Sequence, residues 1–257
     1  MLDVFKHFDT YSLKARAFPA LIAGLPVLAF IFIIVPWDRL GLPQAIAVSM
    51  GIILLFAFSD VARQQGKKIQ TKLEVGETPN QWHRENTDIP EILKDRFRNY
   101  VASQLKREAP TAGEEKVNTK QANDFYRSAG AWLRDNTRDI NKFPLLFGEN
   151  ITYGFRRNLL GLKPIALIFN AMVFLICAGV IYFKPTYFLA QQQIEEKLVV
   201  VMAAALLHSA YMILAVNKDS VREASRAYGR QLILSCDSLM RSQRIDFNEE
   251  EKSNGNG

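Results

Sequence analysis

The chain has 257 residues, of which 49% are hydrophobic and 23% are charged, and its formal net charge is +6. Its mean hydropathy of -0.03 is that of a soluble protein. This average is misleading, because the apolar and charged residues are segregated along the chain. The two cysteines, Cys177 and Cys236, have no CxxC partner and no His/Cys cluster beside them, which argues against a disulfide framework or a zinc site.

Four apolar stretches each approach the length that a helix needs to cross about 30 Å of hydrocarbon. They predict an all-α membrane protein with four transmembrane helices, paired as two hairpins around a polar insert. The stretches are 18–36, 43–58, 163–183 and 198–216. The first is not followed by a small-x-small cleavage pattern, so we interpret it as an uncleaved anchor.

These stretches divide the chain into six predicted parts. A cytoplasmic N-terminal segment (1–17) precedes the first transmembrane hairpin (18–62), the cytoplasmic helical insert (63–162), the second transmembrane hairpin (163–216), a cytoplasmic amphipathic helix (217–247) and a tail (248–257). The tail is acidic and then rich in glycine and asparagine, a composition that predicts disorder.

Basic residues flank the predicted spans on one side only, whereas the two short connections, 37–42 and 184–197, are nearly neutral. By the positive-inside rule, both termini and the whole insert are cytoplasmic. Trp37, Tyr182 and Tyr187 mark the opposite boundary, where amphipathic rings prefer the headgroup layer. The flanking basic residues are Lys14, Arg16, Arg63, Lys67, Lys68, Lys72, Arg156, Arg157, Lys163, Lys218, Arg222, Arg226 and Arg230.

The two halves resemble each other where they enter the membrane. The segment TYSLK at 10–14 is similar to TYGFR at 152–156, and each is followed by a proline and a hairpin. An even number of spans between the copies indicates a parallel repeat with a pseudo-two-fold axis along the membrane normal. Shared interfacial chemistry is the alternative explanation.

The insert has the pattern of a small helical domain. We expect the second span to continue to residue 73, a helix to start at a capping box formed by Asp88 and Glu91, and another to cover 119–138. The segment 143–147 is an apolar turn, expected to pack on these helices or at the membrane surface. The helix after the fourth span has one apolar stripe, whose partner is the insert or another subunit.

Three polar residues in the predicted spans are candidate pore or gating residues: His208, Ser209 and Asn170. A polar ring in the membrane is costly unless it faces the bundle interior, another subunit or water. The alternative role is a single interhelical hydrogen bond, worth about 0.6–2 kcal/mol.

Four arginines are candidate contacts for lipid or an anionic ligand. Arg127 and Arg134 lie in a string of basic and aromatic residues, a combination that suits a nucleotide, but a buried aromatic face beside a solvated basic face is the favoured explanation. Arg156 and Arg157 lie near the membrane and suit lipid phosphates.

Ordinary enzymatic chemistry has no sequence support. The three histidines lie in three different regions, and the phosphate-loop, dinucleotide, zinc-protease and serine-hydrolase motifs do not occur. The carboxylates of the insert alternate with Lys and Arg, as on a solvated helix surface. We therefore expect a protein that is not an enzyme and that has no cofactor or metal.

The layout of two hairpins around an insert, together with the segments YSLKAR (11–16), YGFRRN (153–158) and GLKP (161–164), resembles the four-helix membrane effectors of bacterial antiphage systems. That class is associated with nucleotide second-messenger signalling. The resemblance implies an inner-membrane protein in which a cytoplasmic sensor region is coupled to membrane perturbation. The resemblance does not identify any ligand-binding residue.

The leading hypothesis is an effector that depolarises the inner membrane when its cytoplasmic region is engaged. Four helices pack without room for a channel, so ion passage requires a homo-oligomer. A membrane anchor or sensor that recruits a cytosolic partner is the alternative, and a small transporter is the third. The expected partners are membrane lipid, further copies of the chain and either a cytosolic defence protein or a nucleotide ligand; no nucleic acid is expected.

Overall fold

The fold is helical throughout the part of the chain that the computed structural model describes, which covers 10–35, 44–76, 79–186 and 193–254. No strand occurs within these ranges, which confirms the all-α prediction. The helices are α1 (Thr10–Ile34), α2 (Gln44–Leu73), α3 (Pro79–Trp82), α4 (Glu91–Leu105), α5 (Ala112–Val117), α6 (Thr119–Asn136), α7 (Pro144–Phe183), α8 (Ile194–Leu214) and α9 (Lys218–Asn254).

Three helices, α1, α7 and α8, are long and apolar enough to cross a membrane. At most 28% of the residues in their most apolar windows are buried inside the chain. Apolar surface of this extent needs an apolar solvent, so the protein is a membrane protein. The predicted stretch 43–58 continues into α2, but its beginning lies outside the described residues, as do Trp37, Tyr187 and the connection 37–42.

The chain divides into two compact units. The first, the membrane unit, comprises Met1–Leu73 and Ile151–Val221, and the second, the polar unit, comprises Glu74–Asn150 and Arg222–Gly257. Helices α7 and α9 each contribute residues to both.

The membrane unit has a core in which α7 and α8 pack together and against the second half of α1. Small or β-branched side chains dominate it, which allows helices to approach closely where the solvent is lipid. The fully buried members are Val173, Cys177, Ile194, Leu198, Val201 and Ala205, with Val27, Phe30, Ile33 and Ile34 packed on them.

The start of α7 packs unusually closely on α1 and α2 through one face that carries Gly154, Asn158 and Gly161. A Cβ at Gly161 would lie 2.6 Å from the carbonyl carbon of Gln65, and one at Gly154 would lie 2.9 Å from the Cβ of Ala15. Spacings of four and three residues place all three positions on the same side of the helix. The segments YGFRRN (153–158) and GLKP (161–164) therefore contribute to the face of α7 that contacts its neighbours.

The buried amide of Asn158 also accounts for an irregularity in α1. Its Nδ2 donates to the carbonyl oxygen of Ala15 at 2.6 Å, and residues Leu13–Ala17 form a π-helical turn around that carbonyl. A side chain that bonds to a backbone carbonyl favours such a local widening of the helix.

The polar unit has its own apolar core, contributed by α3, α4, α6, α9 and the start of α7. The apolar stripe of α9 packs on the helices of the insert. The insert was one of the two partners predicted for this stripe, the other being another subunit. The predicted apolar turn at 143–147 is instead the start of α7, and it packs on these helices as expected. The core includes Trp82, Ile89, Phe97, Val101, Phe125, Tyr126, Leu133, Phe143, Leu146, Leu232, Ile233 and Cys236.

Two sequence-based helix ends were wrong. The N-cap of α4 is Pro90 in an extended conformation, not Asp88, so the helix begins two residues too late for the Asp88 carboxylate to cap it. The capping box is instead formed by Thr111 and Glu114 at the start of α5. Helix α9 extends to Asn254, past the predicted end at residue 247, because the glutamates and the lysine of the tail are strong helix formers.

Candidate functional site

The three polar residues predicted within the spans meet in one cluster between α7 and α8. The Nδ2 of Asn170 donates to the Nδ1 of His208 at 2.9 Å and to the Oγ of Ser209 at 2.8 Å. The Ser209 hydroxyl in turn donates to the carbonyl oxygen of Ala205 at 2.7 Å. Asn170 is buried, and the other two side chains are half-buried. We call this group the Asn–His–Ser cluster.

The contacts of Nδ1 favour one neutral form of the His208 imidazole. Nδ1 lies 2.9 Å from the Nδ2 of Asn170 and 3.3 Å from its Oδ1. In the form that accepts at the shorter contact, the ring carries its proton on Nε2. That Nε2 is buried and has no hydrogen-bond partner of good geometry among the described residues, although the backbone of Ile22 on α1 lies beside the ring. The cluster thus contains a buried donor whose bonding is incomplete, which is costly in an apolar surrounding.

The cluster lies closer to one end of α8 than to the other. His208 precedes the end of α8 at Leu214 by about 9 Å and follows its start at Ile194 by about 21 Å, at 1.5 Å per residue. Asn170 follows Lys163 on α7 by about 10 Å on the same scale. Lys163 marks that end by donating from Nζ to the carbonyl oxygens of Ile213 and Val216, at 3.1 and 2.8 Å.

Chemically, the cluster can orient a water molecule or hold a polar contact between helices, since it combines a ring donor, an amide and a hydroxyl. It has no carboxylate or thiol. Among the residues that the structure describes, no group of three or more His, Cys, Asp or Glu side chains is placed to hold a metal ion.

The two candidate lipid-binding arginines of α7 make contacts within the membrane unit. The Nη1 of Arg156 donates to the carbonyl oxygen of Ser220 at 3.0 Å. The Nη1 of Arg157 donates to the Oε1 of Gln70 at 2.6 Å, and its guanidinium lies 5.3 Å from the centre of the Tyr153 ring. Both charges therefore help to join helices, a role that the sequence did not indicate.

The other two candidate arginines project from the outer side of α6. Arg127 pairs with Asp124 across an exposed face at 3.3 Å, and Arg134 is exposed. Phe125 and Tyr126, which precede Arg127, are buried in the core of the polar unit, and Trp132, which lies between the two arginines, is partly buried against that core. A nucleotide base could therefore not stack on Phe125 or Tyr126 without unpacking the core.

Sequence reasoning missed a buried charge network in the polar unit. Lys94 and Arg98, one turn apart on α4, are almost completely buried. The Nη2 of Arg98 donates to the carbonyl oxygen of Trp82 at 2.9 Å, and the Nζ of Lys94 donates to those of His83, at 2.7 Å, and Asn86. These two cations provide the hydrogen bonds that the backbone carbonyl groups at the end of α3 and in the following turn need when they are buried.

Burial is the main reason that the pKa of Lys94 lies below its ordinary value, and the nearby charge of Arg98 adds to the effect. The sequence contained a signal for this network. Lys94 and Arg98 share the stripe of α4 that also carries Phe97 and Val101, and cations inside an apolar stripe need buried partners.

Glu115 is the buried anion of the network. Its Oε1 accepts from the Nη1 of Arg84 at 2.5 Å and from the Tyr126 hydroxyl, and its Oε2 accepts from the backbone N–H of Arg84 at 3.2 Å. Burial alone would raise the pKa of Glu115, but the hydrogen bonds and the Arg84 charge outweigh burial and lower it. Tyr126 has a raised pKa because it is buried and donates to this carboxylate.

The fold and the site define an all-helical membrane protein with a polar cluster between two span-length helices. No protein-family model matches the chain, and no curated protein or solved structure matches it either. The resemblance to antiphage effectors therefore stays a prediction.

Proposed function

We propose that this protein is a multi-pass effector of a bacterial inner membrane, with four spans in two hairpins and both termini and the polar unit in the cytoplasm. Engagement of the polar unit would lead homo-oligomers to perturb or depolarise the membrane, in a setting such as antiphage defence. The partner that engages it would be a cytosolic protein or a nucleotide.

The observation that carries this proposal is the Asn–His–Ser cluster. It places a buried imidazole N–H with incomplete hydrogen bonding in helices of span length, about 10 Å from the level of Lys163. A donor of this kind is stabilised by water or by an acceptor on another subunit. Water and an acceptor on another subunit are both present when several copies assemble around a water-filled path. The four helices of one copy leave no room for such a channel.

The test is to express the chain in bacteria and record membrane potential and the entry of an impermeant dye, with and without phage. We expect the wild type to depolarise the membrane and His208→Ala and Asn170→Ala to weaken the effect. Leu207→Ala is the matched control, because Leu207 neighbours the histidine on α8 but is 74% exposed on the apolar outer surface. Each variant should reach the membrane in equal amount.

Two outcomes would contradict the proposal. The effector role fails if the potential is unchanged at high expression with and without phage. The role of the cluster fails if the wild type depolarises and the His208 and Asn170 variants match it, as the Leu207 control does.

The second candidate is a membrane anchor or sensor that recruits a cytosolic partner. It is favoured by the compact polar unit, which combines the insert and most of α9 around a separate core. Deleting the region 88–138 would remove core residues such as Phe97 and Tyr126, so surface substitutions are the better test. Ile92→Asp and Val117→Asp change side chains that are 84% and 90% exposed and should release a partner that co-purifies with the wild type, without causing depolarisation.

A further inference from the structure

A second candidate site lies in the membrane unit, in a cavity between the start of α1 and the middle of α2. Its volume is about 250 Å³. The cavity is separate from the Asn–His–Ser cluster and is lined by residues from both helices. Its wall is polar at one end and apolar at the other, and that gradient indicates what would occupy it.

The polar end carries three charges: Arg16 from α1, and Asp60 and Arg63 from α2. The guanidinium of Arg16 lies 5.5 Å from the centre of the Tyr11 ring. Arg63 is exposed and forms no ion pair or hydrogen bond with any residue that the structure describes, and Asp60 accepts one hydrogen bond, from Gln64 at 2.8 Å. Two cations and one anion leave the cavity with a surplus positive charge.

The apolar end is formed by Ala17, Ile52 and Leu55. From Ile52 to Arg63 the axis of α2 rises by about 16 Å, at 1.5 Å per residue. Arg16 directly precedes the apolar part of α1, and Arg63 follows the apolar part of α2, so the cations lie where hydrocarbon ends. A ligand that complements this cavity has a charged head and a hydrocarbon tail.

We propose that this cavity binds a phospholipid with an amine-bearing headgroup. Arg16 and Arg63 contact the phosphodiester, since guanidinium groups pair well with phosphate oxygens. The carboxylate of Asp60 contacts the ammonium group, and one acyl chain lies against Ala17, Ile52 and Leu55. Phosphatidylethanolamine has this combination of charges, whereas phosphatidylglycerol offers no cation to Asp60 and phosphatidylcholine offers no N–H donor.

The experiment reconstitutes the full chain in vesicles with equal amounts of the three lipids, extracts it in mild detergent and quantifies the retained lipid by mass spectrometry. We expect enrichment of phosphatidylethanolamine in the wild type. The double variant Arg16→Gln, Arg63→Gln should retain about a tenth as much, a change that corresponds to about 1.4 kcal/mol. Asp60→Asn should keep lipid but lose the preference for the amine.

The control is Lys14→Gln, Lys67→Gln, which removes the same charge from exposed positions outside the cavity and should retain lipid as the wild type does. Circular dichroism and gel filtration show whether each variant is folded. The proposal is overturned if the arginine variant folds and retains as much phosphatidylethanolamine as the control, or if the three lipids are retained equally. Displacement of the lipid by inorganic phosphate alone would also overturn it, because the cavity would then be a simple anion site.

Discussion

Glu115→Gln should destabilise the polar unit in a manner that depends on pH. The substitution keeps the shape of the side chain but removes the charge that faces Arg84 at 2.5 Å, in a position where Glu115 is 6% and Arg84 is 24% exposed. Removing one partner of a fully buried ion pair costs about 3–5 kcal/mol. Because Arg84 is partly exposed and glutamine still accepts hydrogen bonds, we expect a loss of about 2–3 kcal/mol in the free energy of unfolding.

The pH dependence follows from the lowered pKa of Glu115. A carboxyl group with a lower pKa in the folded state stabilises the fold above its unfolded-state pKa, and that contribution is lost as pH falls through the folded-state value. The ordinary value is 4.5, so the loss occurs below pH 4.5. The wild type should therefore approach the stability of the glutamine variant there.

The assay is thermal unfolding of the full chain in detergent micelles, followed by tryptophan fluorescence. Trp82 is a local reporter, because its ring stacks on Tyr126 with centroids 6.0 Å apart. At neutral pH the midpoint of Glu115→Gln should fall by roughly 5–15 °C. Glu108→Gln, at an exposed position, is the charge-matched control and should leave the midpoint unchanged. A difference between the wild type and Glu115→Gln that stays constant below pH 4.5 would refute the reasoning.

Three further predictions concern packing and reactivity. Gly161→Leu should lower the yield of folded protein in detergent, as measured by gel filtration, because even its Cβ would lie 2.6 Å from the Gln65 backbone; a monodisperse protein of wild-type yield would contradict this. Lys163→Met should lower the melting midpoint measured by circular dichroism by an amount equivalent to about 1–3 kcal/mol, since the carbonyl groups of Ile213 and Val216 lose their donor, whereas Lys163→Arg should restore much of it. In a Cys177→Ser background, Cys236 should react with iodoacetamide only after unfolding, because burial raises its pKa to about 12; fast labelling of the folded protein would show that the thiol is accessible.

The sequence predicted the features that repeat along a helix. Apolar runs long enough to span a membrane predicted the all-α class. The spacing of apolar and polar residues along α6 predicted its buried aromatic face. Helix ends depend on backbone geometry at single residues, and for this reason Asp88, two residues before the N-cap of α4, was mistaken for that cap.

The sequence could predict the site only in part. His208, Ser209 and Asn170 stood out because polar residues are rare in apolar runs, and the structure brings them together. The partners of Arg156 and Arg157 lie far away along the chain, at Ser220 and Gln70, and a pattern within one segment carries no information about them.

The basic residues at the two membrane entries differ in how far they remain available to other molecules. In the second half, Arg156 and Arg157 donate to protein oxygens, and Lys163 caps the end of α8. In the first half, exposed cations make no ion pair with any described residue; they are Lys14, Arg63, Lys67, Lys68 and Lys72. Lys218, which follows the fourth span, is exposed as well, so the halves differ in the cations that precede their first helices and not in those that follow their second helices. Each exposed cation that reaches an anionic surface adds about 1 kcal/mol of attraction, so the electrostatic pull of a bilayer is weakest where α7 enters it.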